Sequence, residues 1–277
     1  MAYKAEKSTA VTTETLISMK QKGVKITALT AYDAPTAALL NEAGVDVILC
    51  GDSLGMVKLG YESTLPVTLE EILHHTKAVK RGSGRALLVA DMPFLTYEID
   101  PREAVRNAGR LIKEGGAAAV KLEGGMEIAP VVKELLKANI PVMGHLGLTP
   151  QAVHRLGGYK VQGRKPQEAE KMLTDAKLLE AAGAFALVLE CVPPSVADEI
   201  TRKVGIPTIG IGAGPETDGQ ILVVDDMLGM TSASLKFVKR YAELRPQMAK
   251  AVAEYCREVR DGAFPAAEHT FAEAAKG

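Results

Sequence analysis

Apolar residues in this chain gather in short runs, and the stretches between the runs carry apolar positions at helical spacing. Ile26–Thr30, Val45–Cys50, Leu87–Ala90, Ala118–Leu122, Val142–Met143, Ala186–Leu189, Thr208–Ile211 and Ile221–Val224 read as eight strands. They lack strict polar alternation, as expected of parallel strands covered on both faces. Pro35–Glu42, Leu69–Arg81, Pro101–Glu114, Glu127–Lys137, Gln167–Ala181 and Pro194–Lys203 read as helices, with glycines such as Gly44 and Gly115-Gly116 at the returns to strand. The alternation predicts an α/β fold, a single (β/α)8 TIM barrel. An N-terminal helix, capped by Thr12-Thr13 and stopped at Gly23, is expected to close the barrel floor. Ser234–Arg245 and Pro246–Val259 read as an amphipathic C-terminal helical extension, with Phe237, Val238, Tyr241 and Leu244 on one face. No composition break suggests a linker, so residues 1–277 are expected to form one domain, with 1–12 and 265–277 as flexible tails.

Chemistry enters where the runs stop. Val45–Cys50 leads into Asp52-Ser53, Leu87–Ala90 ends on Asp91, Ala118–Val120 on Lys121 and Glu123, Pro141–Met143 precedes His145, and Ala186–Leu189 ends on Glu190. Any one such residue can cap the next helix. In a barrel, however, the strand C-termini share one mouth, and five such stops in succession point to an active site there.

Asp52, Asp91 and Glu123 offer hard oxygen donors, a set that suits magnesium with two direct carboxylates and an outer third, although a metal-free acid/base pair fits the spacing too. Lys121 and Glu123, two apart on a strand, share a face. Lys121 is open to three readings: charge partner for a carboxylate and an anionic substrate, Schiff-base nucleophile, or structural ion pair with Glu123. Glu190 sits among Leu187, Val188, Leu189 and Cys191, a setting expected to raise a carboxyl pKa into the range of a general base. His145, between Gly144 and Gly147, is either a ligand contact or a structural histidine. His74, His75, His154 and His269 read as structural or solvated. Gly210–Gly214 lacks the context of a phosphate loop and reads as a tight active-site turn.

The balance of charges is a net −1, which gives no reason to expect nucleic acid or an anionic membrane as partner. No signal peptide and no apolar stretch of membrane-spanning length is evident, so a cytoplasmic location is expected. The three cysteines, Cys50, Cys191 and Cys256, form no pairing pattern and are expected to be reduced thiols, with Cys50 and Cys191 more readily apolar fillers than nucleophiles.

Several long motifs then carry a resemblance: Gly51–Met56, Ser63–Thr68, Lys121–Gly125, Gly144–Gln151, Gly157–Gly163, Leu189–Pro193, Ile209–Gly214 and Thr217–Gln220. Together, over about Thr13 to His269, they resemble the ketopantoate hydroxymethyltransferases. The resemblance implies a barrel of the phosphoenolpyruvate/pyruvate type. It implies magnesium at Asp52 and Asp91 with Glu123 close by, substrate contacts from Asp52, Ser53, Asp91 and Lys121, and Glu190 as proton acceptor; His145 is a further candidate substrate contact from its place at the strand end. It further implies transfer of a hydroxymethyl group from 5,10-methylenetetrahydrofolate to 3-methyl-2-oxobutanoate, giving 2-dehydropantoate for pantothenate and coenzyme A synthesis, through a magnesium-stabilised enolate. The assembly it implies is a homo-oligomer, commonly a decamer. Two alternatives are a metal-dependent 2-oxo acid C–C lyase of the same superfamily and a non-catalytic metabolite-binding barrel.

Overall fold

The computed structural model describes residues 10–232 and 235–271. Residues 1–9 and 272–277 of the expected tails, and Ser234, lie outside the described residues. Contacts divide the chain into two compact units, Met1–Val224 and Asp225–Gly277.

The first unit is a closed barrel of eight parallel strands in chain order. These are β1 (Ile26–Thr30), β2 (Val47–Cys50), β3 (Leu87–Asp91), β4 (Ala119–Glu123), β5 (Val142–Gly147), β6 (Ala186–Glu190), β7 (Thr208–Ile211) and β8 (Gly219–Leu222). β8 closes on β1 with Ile26 opposite Gly219. The predicted (β/α)8 architecture is present. The helices that wrap it are α1 (Thr13–Gln21), α2 (Ala34–Glu42), a short α3 (Leu54–Val57), α4 (Leu69–Gly82), α5 (Pro101–Lys113), α6 (Ala129–Lys137), a short α7 (Val153–Leu156), α8 (Pro166–Ala182) and α9 (Pro194–Lys203).

Local chemistry accounts for the helix starts. Thr12 caps α1 and Thr68 caps α4, each in a reciprocal box with the third residue of its helix. Asp33 and Asp100 accept amide hydrogen bonds at the starts of α2 and α5, where Pro35 and Pro101 occupy first-turn positions that need no amide. At the N-terminal end of the barrel, Leu16 of α1 is fully buried and Lys20 reaches Asp218 at 2.8 Å, just before β8. That places α1 at the floor, opposite the mouth.

Two strands differ from the expected ones, each for a local reason. β5 runs on through Gly144 and His145, because Gly144 is where Leu187 and Leu179 press in: a Cβ there would stand 2.8 and 3.0 Å from them. β8 begins two residues early, at Gly219, where a Cβ would lie 2.5 Å from the Ile26 carbonyl oxygen. Between β7 and β8, where a turn rather than a helix is expected, Gly212–Asp218 makes the crossover, held by Gln220 Nε2 on Gly214 O and Thr217 Oγ1.

In the second unit α10 (Val224–Met227) begins at the unit boundary, and α11 (Leu244–Arg260) follows a non-helical stretch. The helix expected over 234–245 does not form in its described residues. Tyr241, Leu244 and Arg245 donate their amides to the carbonyls of Met227, Leu228 and Gly229, so that backbone is spent on a loop contact. α11 then starts at Leu244, with Pro246 accommodated in its first turn. Among the described residues no helix is long and apolar enough to cross a membrane.

Candidate active site

The barrel brings the strand-end residues together. Register places Asp91 beside Lys121, Glu123 beside His145, and Glu190 beside Gly147. Asp52, Asp91, Lys121, Glu123 and His145 are all at most 6 % exposed, and the Glu190 side chain is 17 % exposed.

The contacts form one network. Lys121 Nζ lies 2.6 Å from Asp91 Oδ1, and Asp91 Oδ2 accepts the Asp52 amide at 2.9 Å. His145 stands between two carboxylates, with Nδ1 3.4 Å from Glu123 and Nε2 3.3 Å from Glu190. Lys121 pairs with Asp91 rather than with Glu123, contrary to the structural pair considered from sequence. Ser53 Oγ is 2.8 Å from the Tyr32 hydroxyl, and His75, expected to be structural, holds the Tyr32 carbonyl at 2.6 Å.

Burial and charge set the protonation. Burial, then the Asp91 and Glu123 charges, push the Asp52 carboxyl well up, against the opposing pull of Lys121 and Gln151. Burial also raises Asp91, with Lys121 opposing. Burial disfavours charge on Lys121, but the surrounding Asp91, Glu123 and Asp52 outweigh it and hold the amine protonated. Burial and Lys121 likewise oppose a charge on His145, yet the Glu123 and Glu190 carboxylates, 3.4 and 3.3 Å from its two ring nitrogens, raise it to about 9, which makes it an imidazolium at neutral pH. Glu123 is lowered in spite of burial, through His145 and Lys121. A protonated, ion-paired lysine is a poor Schiff-base nucleophile and a good anion anchor. Burial raises the thiols of Cys50 to about 12 and Cys191 to about 11, which leaves neither as a thiolate at neutral pH.

Four carboxylates thus face two cations. Among the described residues no group of three or more His, Cys, Asp or Glu is arranged to hold a metal alone. The donor chemistry fits a hard divalent ion that takes few protein ligands: Glu123 Oε1 is buried without a hydrogen bond, and the Asp52 carboxyl is crowded by like charges.

Two residues of the network carried no assigned role in the sequence. Gln151 Nε2 donates to Asp52 Oδ2 at 2.8 Å and its amide donates to Glu123 Oε2 at 3.0 Å. Tyr97, 2 % exposed, donates to Gln151 Oε1 at 2.8 Å. A neutral amide and a phenol carry no strand-end signal; only Gln151's place in the Gly144–Gln151 motif hinted at it.

A barrel with a charged cluster at its C-terminal mouth defines the class, and solved structures share its fold. A phosphonopyruvate hydrolase crystallised with oxalate and Mg++ superposes with a TM-score of 0.61 at 14 % identity, covering 93 % of this chain and 92 % of its own. A 2,3-dimethylmalate lyase of the PEP mutase/isocitrate lyase superfamily gives 0.58 at 17 %, covering 92 % and 90 %. At these identities the likeness is one of fold. The family model of ketopantoate hydroxymethyltransferase matches residues 10–267. The 3-methyl-2-oxobutanoate hydroxymethyltransferase of Thermoanaerobacter sp. (strain X514) is 59 % identical over 262 residues, 94 % of this chain and 96 % of its own. That of Syntrophus aciditrophicus (strain SB) is 56 % identical over 266 residues, 96 % and 98 %. The chain belongs to the ketopantoate hydroxymethyltransferase family.

Proposed function

We propose that the mouth of the barrel binds a 2-oxo acid, that Glu190 removes its C3 proton, and that Lys121 and His145 stabilise the resulting enolate. The activity is that of the family: hydroxymethyl transfer to 3-methyl-2-oxobutanoate, with 5,10-methylenetetrahydrofolate as one-carbon donor and 2-dehydropantoate as product, the first step of pantothenate synthesis. The observation that carries the residue roles is the His145 bridge, which sets Glu190 3.3 Å from an imidazolium that itself faces Glu123.

The physical roles follow. Negative charge grows on the keto oxygen as the proton leaves, and fixed positive groups in a dry pocket are worth most there. Lys121, held charged by Asp91, anchors the substrate carboxylate or the developing oxyanion. His145, 3.3 Å away, keeps the Glu190 carboxylate oriented for proton transfer. Ser53, oriented by Tyr32, offers a hydroxyl to the substrate. Asp52 and Asp91, with Glu123 behind them, would hold magnesium, which supplies Lewis acidity at the keto oxygen when bound. The lyase alternative has only the shared fold in its favour.

The three free cysteines suit a reducing compartment such as the cytoplasm. A homo-oligomer, the decamer of the family resemblance, is supported by α11, whose Met248, Val252, Tyr255 and Val259 are exposed at helical spacing. The test of the activity is product formation: 2-dehydropantoate should accumulate from 3-methyl-2-oxobutanoate only when methylenetetrahydrofolate is supplied. Oxoacid cleavage without folate would replace this reading with the lyase.

A further inference from the structure

The side chain of Gln151 meets three polar groups, and the pattern of donors and acceptors around it has one consistent solution. Its Nε2 faces two acceptors, Asp52 Oδ2 at 2.8 Å and the Met92 carbonyl at 3.0 Å. Its Oε1 faces the Tyr97 hydroxyl at 2.8 Å. Turning the amide over would point an oxygen at two acceptors, so the orientation is fixed by its neighbours. The Tyr97 oxygen in turn accepts the Glu123 amide at 3.2 Å, and its single proton serves the nearer Gln151 oxygen rather than the Glu123 carbonyl at 3.1 Å. The main chain of Gln151 closes the circle by donating to Glu123 Oε2 at 3.0 Å.

The donors therefore run in one direction, from the Glu123 amide through the Tyr97 hydroxyl and the Gln151 carboxamide to the Asp52 carboxylate. Each bond polarises the next in a dry interior. Gln151 and Tyr97 are both buried, and both lie in the connections after barrel strands, Tyr97 in the loop following β3 and Gln151 in a single 3-10 turn, Pro150–Ala152, following β5. A relay that links a carboxylate at the end of β4 to one in the loop after β2 holds their separation and rotamers, which packing around Asp52 alone would leave to that loop. A side chain that only filled space at position 151 would not need this match at every polar atom.

We infer that Gln151 and Tyr97 are positioning residues that act as one unit, fixing Asp52 relative to Glu123 for oxoacid binding and C3 proton removal. The inference rests on the enolate reading above. It assigns the pair to the half-reaction that precedes the one-carbon donor, so their effects should show with folate absent.

The experiment compares wild type, Gln151→Leu, Tyr97→Phe and the double variant in deuterated water with magnesium and 3-methyl-2-oxobutanoate, following C3 exchange by NMR. Calorimetric titrations of magnesium alone and of oxoacid, together with thermal unfolding, accompany it. Gln151→Leu should slow exchange and weaken magnesium binding by roughly 10–100-fold, as loss of a supporting partner behind a ligand does. Tyr97→Phe keeps the ring and should lose less. The double variant should be no worse than Gln151→Leu, because the phenol acts through the amide. If Gln151→Leu does not fold, Tyr97→Phe decides alone: slowed exchange with a folded protein supports the relay. Wild-type exchange and magnesium affinity in the folded single variants would overturn it, whatever their melting temperatures, and so would losses that multiply in the double variant. Absence of exchange in the wild type would be a different failure, of the enolate reading itself, and the relay would fall with it.

Discussion

Lys121→Met is the perturbation that most directly exposes how charge is balanced in the mouth. Methionine keeps most of the unbranched side chain, one atom shorter, and removes the cation that lies 2.6 Å from Asp91 Oδ1 in a position 4 % exposed. Asp91 would then lose its paired cation, while His145 remains against Glu123 and Glu190. Stripping one partner from a buried ion pair costs about 3–5 kcal/mol, which at roughly 2–4 °C per kcal/mol for a domain near this size lowers the melting temperature by about 6–20 °C. An exposed pair such as Arg110 with Glu114 contributes little by comparison. The deficit should also depend on pH. Asp52 and Asp91 are raised in the folded protein, and Lys121 lowers both, so its removal raises them further. A carboxyl whose folded pKa lies above its unfolded value of about 4 penalises folding at higher pH, and the penalty fades as pH falls toward that value. Thermal melts by circular dichroism in EDTA at pH 8 and pH 5 should therefore show a large depression at pH 8 that shrinks at pH 5. A wild-type melting temperature at pH 8, or an equal depression at both values, would refute the reasoning.

Two further predictions test neighbouring parts of the account. Borohydride added with oxoacid should leave the protein mass unchanged, because an ion-paired, protonated Lys121 forms no Schiff base; a reduced adduct on Lys121 in the mass spectrum would restore the nucleophile reading. Gly147→Ala should both destabilise the fold and slow turnover, since Gly147 has φ 95° and a Cβ there would lie 2.2 Å from the Glu190 carbonyl oxygen, displacing the strand end that carries the base. Calorimetric stability and turnover equal to the wild type would contradict that.

Much of this architecture was legible because parallel barrel strands are buried on both faces and so write themselves as apolar runs. The charged residues that stop those runs, Asp52, Asp91, Lys121, Glu123, His145 and Glu190, stood out for the same reason. Glycine hid what it enabled: Gly144 and Gly219 look like strand breakers, yet each admits a close neighbour within a strand. The periodic apolar positions Phe237, Val238, Tyr241 and Leu244 suggested a helix that the backbone bonds to Met227, Leu228 and Gly229 replace, a tertiary choice invisible to spacing. Glu190 looked enclosed by apolar neighbours, whereas its carboxylate meets His145. Gln151 and Tyr97 were unreadable because neutral hydrogen-bonding groups acquire a role only when folding sets them beside a carboxylate.

The central claim is that Glu190 takes the C3 proton of a bound oxoacid before any one-carbon unit arrives. The direct measurement is NMR-monitored exchange of that proton in deuterated water, with magnesium and 3-methyl-2-oxobutanoate and no folate, for wild type and Glu190→Gln. The account predicts exchange in the wild type and a loss of roughly 10²–10⁴-fold in Glu190→Gln, with oxoacid binding retained. Wild-type exchange in Glu190→Gln would move the base elsewhere, His145 first, and exchange in the wild type that appears only with folate bound would contradict the order of steps.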